Sequence, residues 1–360
     1  MTIGKLTIGL SALALVAGGH GAALAHDAQA PRPETASEAA PEVTWSQESS
    51  TIVNPSANTS LSAWEAYKKY DFKPSVDEHL TDPILQGAID IHAHFGPDVY
   101  PRQWDAFEIA RLARERGMRG VVLKNHWTES AGTAYLVRKH GGVPGLEVFG
   151  GLSLNASVGG VNPNAVRYFA EVEGGYAKVV WMPTHDSEHE VEYQKESRPY
   201  VAVSRDGVLV PQVLEVLDLI KQYDLTLATG HVTPEEMLQI MVEAKQRGIE
   251  RIIVTHPTMG PMFTDPTIEQ MKEAIALGGY VEVTASSILR SGPQFVELIR
   301  TLGPDRVFIA SDSGRTGTPN HGDAMARSIR ILREAGFSEA ELDKMYRKNP
   351  AFLLGLPALD

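Results

Sequence analysis

Past Gly87 the apolar positions of the chain alternate between two rhythms. Short runs rich in β-branched residues read as buried strands, and longer stretches with apolar residues three and four apart read as amphipathic helices. The strand candidates are Ala88–Phe95, Gly120–His126, Glu147–Leu154, Ala177–Met182, Leu225–His231, Arg251–His256, Gly279–Thr284 and Arg306–Asp312. Helical patterns such as Asp105–Arg116, Val213–Tyr223, Pro234–Arg247 and Pro266–Leu277 lie between them. Eight successive βα-like units predict a closed parallel (β/α)₈ barrel of the TIM type, a fold of about 250 residues. An open doubly wound sheet is the weaker alternative, because no Gly-rich phosphate turn follows the first strand.

One segment interrupts the alternation. His185–Pro211 is long for a connection after the fourth strand, and its runs Tyr200–Val203 and Val208–Val210 flank Ser204-Arg205-Asp206-Gly207. Two short β runs around Asp-Gly predict a β-hairpin insertion after strand 4, placed as a lid or as a decoration.

The first 86 residues follow neither rhythm. Lys5 is the only charge before the apolar run Leu6–Val16, and Ala23-Leu24-Ala25 offers a small-x-small cleavage site. This order predicts a signal peptide over residues 1–25 and a periplasmic or secreted protein. An uncleaved anchor is the alternative, but the run is shorter than the ~20 residues a span requires. Residues 26–60, rich in Ala, Pro, Glu, Ser and Thr, read as a disordered linker. The barrel domain is expected over residues 61–360, beginning with a lead-in whose Trp64, Tyr67, Tyr70 and Phe72 would pack outside the barrel.

Composition narrows the chemistry. A formal net charge of −12 disfavours nucleic acid as a partner, since phosphate neutralisation needs a basic face. With no cysteine, thiolate metal sites and cysteine nucleophiles are excluded. A transition-metal site must then come from His, Asp, Glu or a modified Lys. The expected partner is a small-molecule substrate, with no membrane involved after signal cleavage; a homo-oligomer is compatible with this composition.

The expected strand ends carry that chemistry. The first strand closes with Asp90-Ile91-His92-Ala93-His94, and alternation puts His92 and His94 on one side. The fifth ends in Gly230-His231, the sixth in Thr255-His256-Pro257 and the eighth in Ser311-Asp312-Ser313-Gly314. In a barrel these ends converge on one face. Four imidazoles and one carboxylate arriving there predict a divalent metal site. Two lysines lie within apolar strands, Lys124 on the second and Lys178 on the fourth. A buried lysine is costly unless paired or modified. A lysine carbamate would serve as a carboxylate-like ligand; alternatively Lys178 merely begins its strand and snorkels out. Asn125, His126, Arg315 and His321 are candidate substrate contacts, and Glu282 is a candidate partner for a metal ligand. His185 and His189, with Glu188 and Glu190 nearby, suit a separate ion or, preferably, a solvated acidic turn.

The order His-x-His, strand-four Lys, strand-five His, strand-six His and strand-eight Asp resembles the amidohydrolase superfamily over about Gly87 to Leu356, including the ending Asn349-Pro350-Ala351-Phe352-Leu353-Leu354-Gly355-Leu356. The runs Val122-Leu123-Lys124-Asn125-His126, Lys178-Val179-Val180-Trp181-Met182-Pro183-Thr184 and Gly230-His231-Val232-Thr233-Pro234-Glu235-Glu236 more specifically resemble an uncharacterised amidohydrolase-related family. The resemblance implies a metal-dependent hydrolase acting on an amide, imide, lactone or related bond of a small molecule through metal-activated hydroxide. It implies one or two divalent ions, with zinc the first choice. His92, His94 and Asp312 would hold one ion, His231 and His256 the second, and Lys178, if carbamylated, would bridge them. Asp312 would also move the proton. Lys124 departs from the superfamily pattern and is a bridge, a substrate clamp or an ion-pair partner. A mononuclear decarboxylase or lyase on the same barrel and a non-catalytic periplasmic metal- or solute-binding protein are the alternatives.

Overall fold

In the computed structural model, residues 51–53, 74–257 and 259–357 are described. The expected signal peptide, most of the expected linker and the aromatics Trp64, Tyr67, Tyr70 and Phe72 lie outside these residues. Eight strands form one parallel sheet whose spatial order follows the chain: β1 (Ile89–His94), β2 (Gly120–Lys124), β3 (Glu147–Ser153), β4 (Ala177–Trp181), β5 (Thr226–Ala228), β6 (Ile252–Val254), β7 (Tyr280–Thr284) and β8 (Val307–Ala310). The sheet closes on itself just past the end of β8. Ala93 pairs with Ser313 in parallel, the Asp312 N–H donates to the His92 carbonyl at 3.0 Å, and the His94 N–H donates to the Ser313 carbonyl at 3.0 Å. The architecture is the (β/α)₈ barrel that the apolar rhythm predicts, and every strand candidate contains one of its strands.

The helices pack outside. After β1 to β3 come α1 (Ala106–Glu115), α2 (Ala131–His140) and α3 (Pro163–Ala170); after β4 come α4 (Glu188–Tyr193) and α5 (Pro211–Gln222). Then follow α6 (Pro234–Gln246), α7 (Ile268–Ala276), α8 (Ala285–Leu302), α9 (His321–Glu334), α10 (Glu339–Asp343) and α11 (Asn349–Leu353). Local sequence sets their starts: reciprocal capping boxes, Asp105 with Glu108 and Thr233 with Glu236, open α1 and α6.

Two cores result. The larger lies between sheet and helices; the smaller fills the barrel with residues such as Ile89, Val122, Val179, Ile253 and Phe308. Ala351, Leu353 and Leu354 from α11 and the turn after it join this inner core. The Asn349 amide donates to the Val307 carbonyl at 2.7 Å, at the start of β8. The chain end thus plugs the face where the strands begin, which leaves the face where they end for chemistry.

The hairpin is present in a register that differs from the expectation. Ser204–Arg205 pairs with Val208–Leu209, whereas Tyr200–Val201 pairs with Ile52–Val53. Asp206 and Gly207 both have positive φ (52° and 76°), the geometry of a two-residue hairpin turn, and this forces the pairing onto the residues next to them. The same contact lies inside the expected linker and departs from it at residues 51–53: Thr51 is buried, and its hydroxyl accepts from the Val161 N–H at 3.0 Å.

Candidate metal centre

The centre forms where β1, β2, β5, β6, β7 and β8 end. On β1 the register with β2 shifts between Asp90 and Ala93. Ile89 and Ile91 face the inner core below this irregularity, and His92 and His94 face the centre above it. Such local bulges commonly re-aim side chains beside active sites. On β5 the turn is made by Gly230, with φ of 69°; a Cβ there would lie 2.4 Å from the Pro183 carbonyl oxygen, so only glycine lets His231 turn inward. Asp312 itself has φ of 49°, a conformation Asp tolerates better than most residues.

Three donor atoms make a nearly equilateral triangle. His92 Nε2 and His94 Nε2 lie 3.2 Å apart, and Asp312 Oδ1 lies 3.2 Å from the first and 3.3 Å from the second. A tetrahedron with such edges has its centre about 2.0 Å from each corner, the range of Zn–N and Zn–O bonds. His231 Nε2 and His256 Nε2 form a second pair 3.1 Å apart, and the rings of His92 and His256 are 5.5 Å apart. The donor set therefore fits a divalent ion of imidazole and carboxylate preference. The Asp312 side chain is 17% exposed, against 0% for His92 and 6% for His94, and so forms the open side of the centre.

Buried carboxylates hold the rings. Glu282 on β7 accepts from His92 Nδ1 at 2.8 Å with one oxygen and from the His256 N–H at 3.0 Å with the other. Glu190 on α4 accepts from His231 Nδ1 at 2.6 Å and from His185 Nδ1 at 3.0 Å. Each carboxylate fixes the tautomer with hydrogen on Nδ1 and leaves Nε2 a lone pair toward the centre.

The electrostatics agree. Burial pushes the Glu190 carboxyl upward, but the hydrogen bonds from His185 and His231 outweigh it and hold the group at about 2. Burial also opposes ionisation of Asp312, yet its electrostatic interaction with the neighbouring His92 and the hydrogen bond from His94 keep it well below the carboxylate range. Burial lowers His256 to about 3 and holds His94 and His126 well below the ordinary imidazole value. His94 and His256 are thus neutral at neutral pH and free to act as ligands.

The two lysines differ in where they sit relative to the centre. Lys124 is fully buried, its Nζ lies 2.9 Å from His92 Nε2 and 4.9 Å above the Trp181 ring, and burial brings its amine down to about 8 against the pull of Asp312 and Glu282. Lys178 is corrected: its Nζ sits 5.6 Å from the Phe149 ring, its charged neighbours are Arg251, Asp224 and Arg138, and among the described residues it meets none of the histidines. The reason is alternation along β4. Val179 and Trp181 face the inner core, so Lys178 lies on the other face near the strand start. Trp181, its ring 5.9 Å from His92, fills the inward position where a strand-four lysine was expected.

The candidate substrate contacts divide. His126 reaches the centre, its ring 4.8 Å from His94 and its Nδ1 2.8 Å from Thr184 Oγ1. Asn125 builds the turn that ends β2, its Oδ1 accepting from the N–H of Trp127 at 2.8 Å and of Thr128 at 3.2 Å. Arg315 lies in the loop after Asp312, where its backbone pairs with Arg102. His321 does not line the mouth: it opens α9, is buried, and its Nε2 meets the His94 carbonyl at 3.1 Å. His185 and His189 form no site of their own, because Glu190 ties His185 to His231 and His189 Nε2 donates to the Pro261 carbonyl at 3.0 Å. Glu190, Trp181 and Arg102, whose Nη2 is 3.2 Å from His94 Nδ1, escaped the sequence reading of the centre.

Residues 87–282 match the profile of a family of unknown function, DUF6282. No curated protein matches the chain. Among solved structures, an amidohydrolase from Pseudomonas aeruginosa is similar with a TM-score of 0.53 at 14% identity, over 76% of this chain and 98% of that one. A zinc-bound amidohydrolase from Burkholderia multivorans gives 0.53 at 14% identity, over 75% and 99%. The phosphotriesterase homology protein from Escherichia coli, with phosphate in its active site, gives 0.52 at 17% identity, over 76% and 99%. At these identities the likeness is one of fold.

Proposed function

The chain belongs to the DUF6282 family, and we propose that it is a metal-dependent hydrolase acting on an amide, imide, lactone or related bond of a small molecule. The observation that carries this reading is the triangle of His92, His94 and Asp312 with its 3.2–3.3 Å edges at the open end of the barrel. His231 and His256 would hold a second ion, and zinc suits the donors. Bound there, a divalent ion would lower the pKa of water toward neutrality and polarise a carbonyl or phosphoryl oxygen. Glu282 and Glu190 orient the rings, and Asp312, ionised and at the open side, accepts a proton and returns it to the leaving group.

The lysine suited to a bridging carbamate is Lys124, from its contact with His92. Its ammonium first gives up one proton, and the free amine plus carbon dioxide then gives a carbamate and a second proton, which converts a cation into an anionic oxygen ligand. The mononuclear lyase is the second reading, favoured by Trp181 standing where a strand-four bridge would be. Residues 1–25 are taken as a secretory signal, which puts the mature protein in the periplasm or outside the cell.

The test is a panel of cyclic amides, imides, lactones and esters, assayed with zinc-loaded and chelator-stripped protein. Zinc-dependent hydrolysis that Asp312→Asn abolishes is expected. Release of carbon dioxide from carboxylates without any hydrolysis would favour the lyase instead.

A further inference from the structure

The histidines of the centre do not all have the same kind of partner. His92 and His231 present Nδ1 to carboxylates at 2.8 and 2.6 Å, and His256 Nδ1 has no partner among the described residues. His94 Nδ1 faces a charged donor, Nη2 of Arg102 at 3.2 Å. A guanidinium carries only donors, so this contact needs the Nδ1 lone pair. A neutral ring that accepts at Nδ1 carries its hydrogen on Nε2, the atom that faces His92 and Asp312. A ring that ligates a cation through Nε2 carries its hydrogen on Nδ1 and cannot accept from Arg102. Contact with Arg102 and ligation of an ion by His94 therefore exclude each other.

Arg102 cannot retreat to solvent. Its Nε donates to Asp98 Oδ2 at 2.7 Å, the Asp98 side chain is 0% exposed, and that of Arg102 is 7% exposed. Its backbone pairs with Arg315, and the next residue, Gln103, donates to the Gly314 carbonyl at 3.4 Å, which fixes the β1–α1 loop beside the loop after Asp312. Released from His94, Nη2 stays beside the centre with no other acceptor among the described residues, and a buried charged donor left unmatched is costly. We propose that Arg102 receives an anionic oxygen group of the substrate, a carboxylate or a phosphoryl group, and that ion binding at His94 frees it for this role. This rests on the metal-dependent reading above and specifies its substrate class: molecules bearing an anionic group next to the bond that reacts.

The test uses the full mature chain with zinc and inorganic phosphate as probes. Arg102→Gln offers His94 an amide oxygen that can accept from Nδ1–H, whereas Arg102→Lys keeps a donor. Zinc affinity, read by chelator competition, should rise about tenfold in Arg102→Gln, the scale of one charge-assisted hydrogen bond, and stay near wild type in Arg102→Lys. Phosphate affinity of the zinc-loaded protein, read by calorimetry, should fall about tenfold or more in Arg102→Gln and less in Arg102→Lys. Melting curves of both variants confirm the fold. Unchanged zinc affinity in Arg102→Gln overturns the competition at His94, and unchanged phosphate affinity overturns the substrate role. A wild-type protein that binds no zinc overturns the centre itself, and this proposal with it, whereas normal zinc binding without either Arg102 effect overturns this proposal alone.

Discussion

Glu282→Gln removes one oxygen acceptor from a carboxylate that uses both. In the wild type Oε1 accepts from His92 Nδ1 at 2.8 Å and Oε2 accepts from the His256 N–H at 3.0 Å, with the residue 1% exposed. Glutamine has one oxygen and one NH₂. If the oxygen faces His92, the NH₂ meets the His256 N–H, and two donors oppose each other in a dry site. If the oxygen faces the His256 N–H, the NH₂ requires His92 Nδ1 to accept, which puts hydrogen on Nε2 and blocks the ligand atom. Either arrangement loses one hydrogen bond to a charged group, about 1.5–3 kcal/mol. Replacing the partner of a ligating histidine typically weakens metal binding about 10–100-fold, which agrees with that loss. Zinc affinity of purified Glu282→Gln, measured by chelator competition at pH 7.5 or so, should fall by about that factor. A zinc affinity within twofold of wild type, in a variant with an unaltered melting curve, would refute the role assigned to Glu282.

Asp312→Asn keeps the shape but cannot accept a proton, so turnover of a true substrate should fall by at least ~100-fold with folding retained; near-normal turnover removes Asp312 from proton transfer. Lys124→Ala should reduce bound metal, with partial recovery in acetate or propionate, while Lys178→Ala should keep its full metal content; elemental analysis of both variants decides, and loss of metal only in Lys178→Ala would reverse the assignment. Burial holds His94, His126, His231 and His256 below the ordinary imidazole value, so the unfolded chain binds protons that the folded chain refuses. The stability these rings contribute is present above about pH 6.5 and is lost as the pH falls through that value toward their folded values. The melting temperature of chelator-stripped protein should therefore drop between about pH 7 and pH 5; a constant or rising value contradicts the burial of neutral rings.

The candidate ligands that could be read from sequence are those that sit where an apolar run stops, because strand ends meet on one face whatever the loops do. His92, His94, His231, His256 and Asp312 are all of this kind, and the structure brings the first two together with Asp312 and pairs the other two. Position along a strand was less informative than face. Lys178 and Trp181 are three residues apart on β4, and alternation gives the centre to only one of them; the inward tryptophan excludes the lysine. Glu190 and Arg102 come from the α4 segment and the β1–α1 loop, whose approach to the centre depends on tertiary packing rather than on any repeat. The hairpin followed the same division: its turn was visible in Asp206-Gly207, but the partner of Tyr200–Val201 is Ile52–Val53, about 150 residues earlier and in a stretch composed like a linker.

The most direct measurement is anomalous X-ray diffraction at the zinc edge from crystals of the full chain grown with zinc and never exposed to chelator. An anomalous peak enclosed by His92 Nε2, His94 Nε2 and Asp312 Oδ1, at about 2.0–2.2 Å from each, is the predicted result. Folded protein with no anomalous density among these three atoms, or with zinc only on exposed residues elsewhere, would contradict the account.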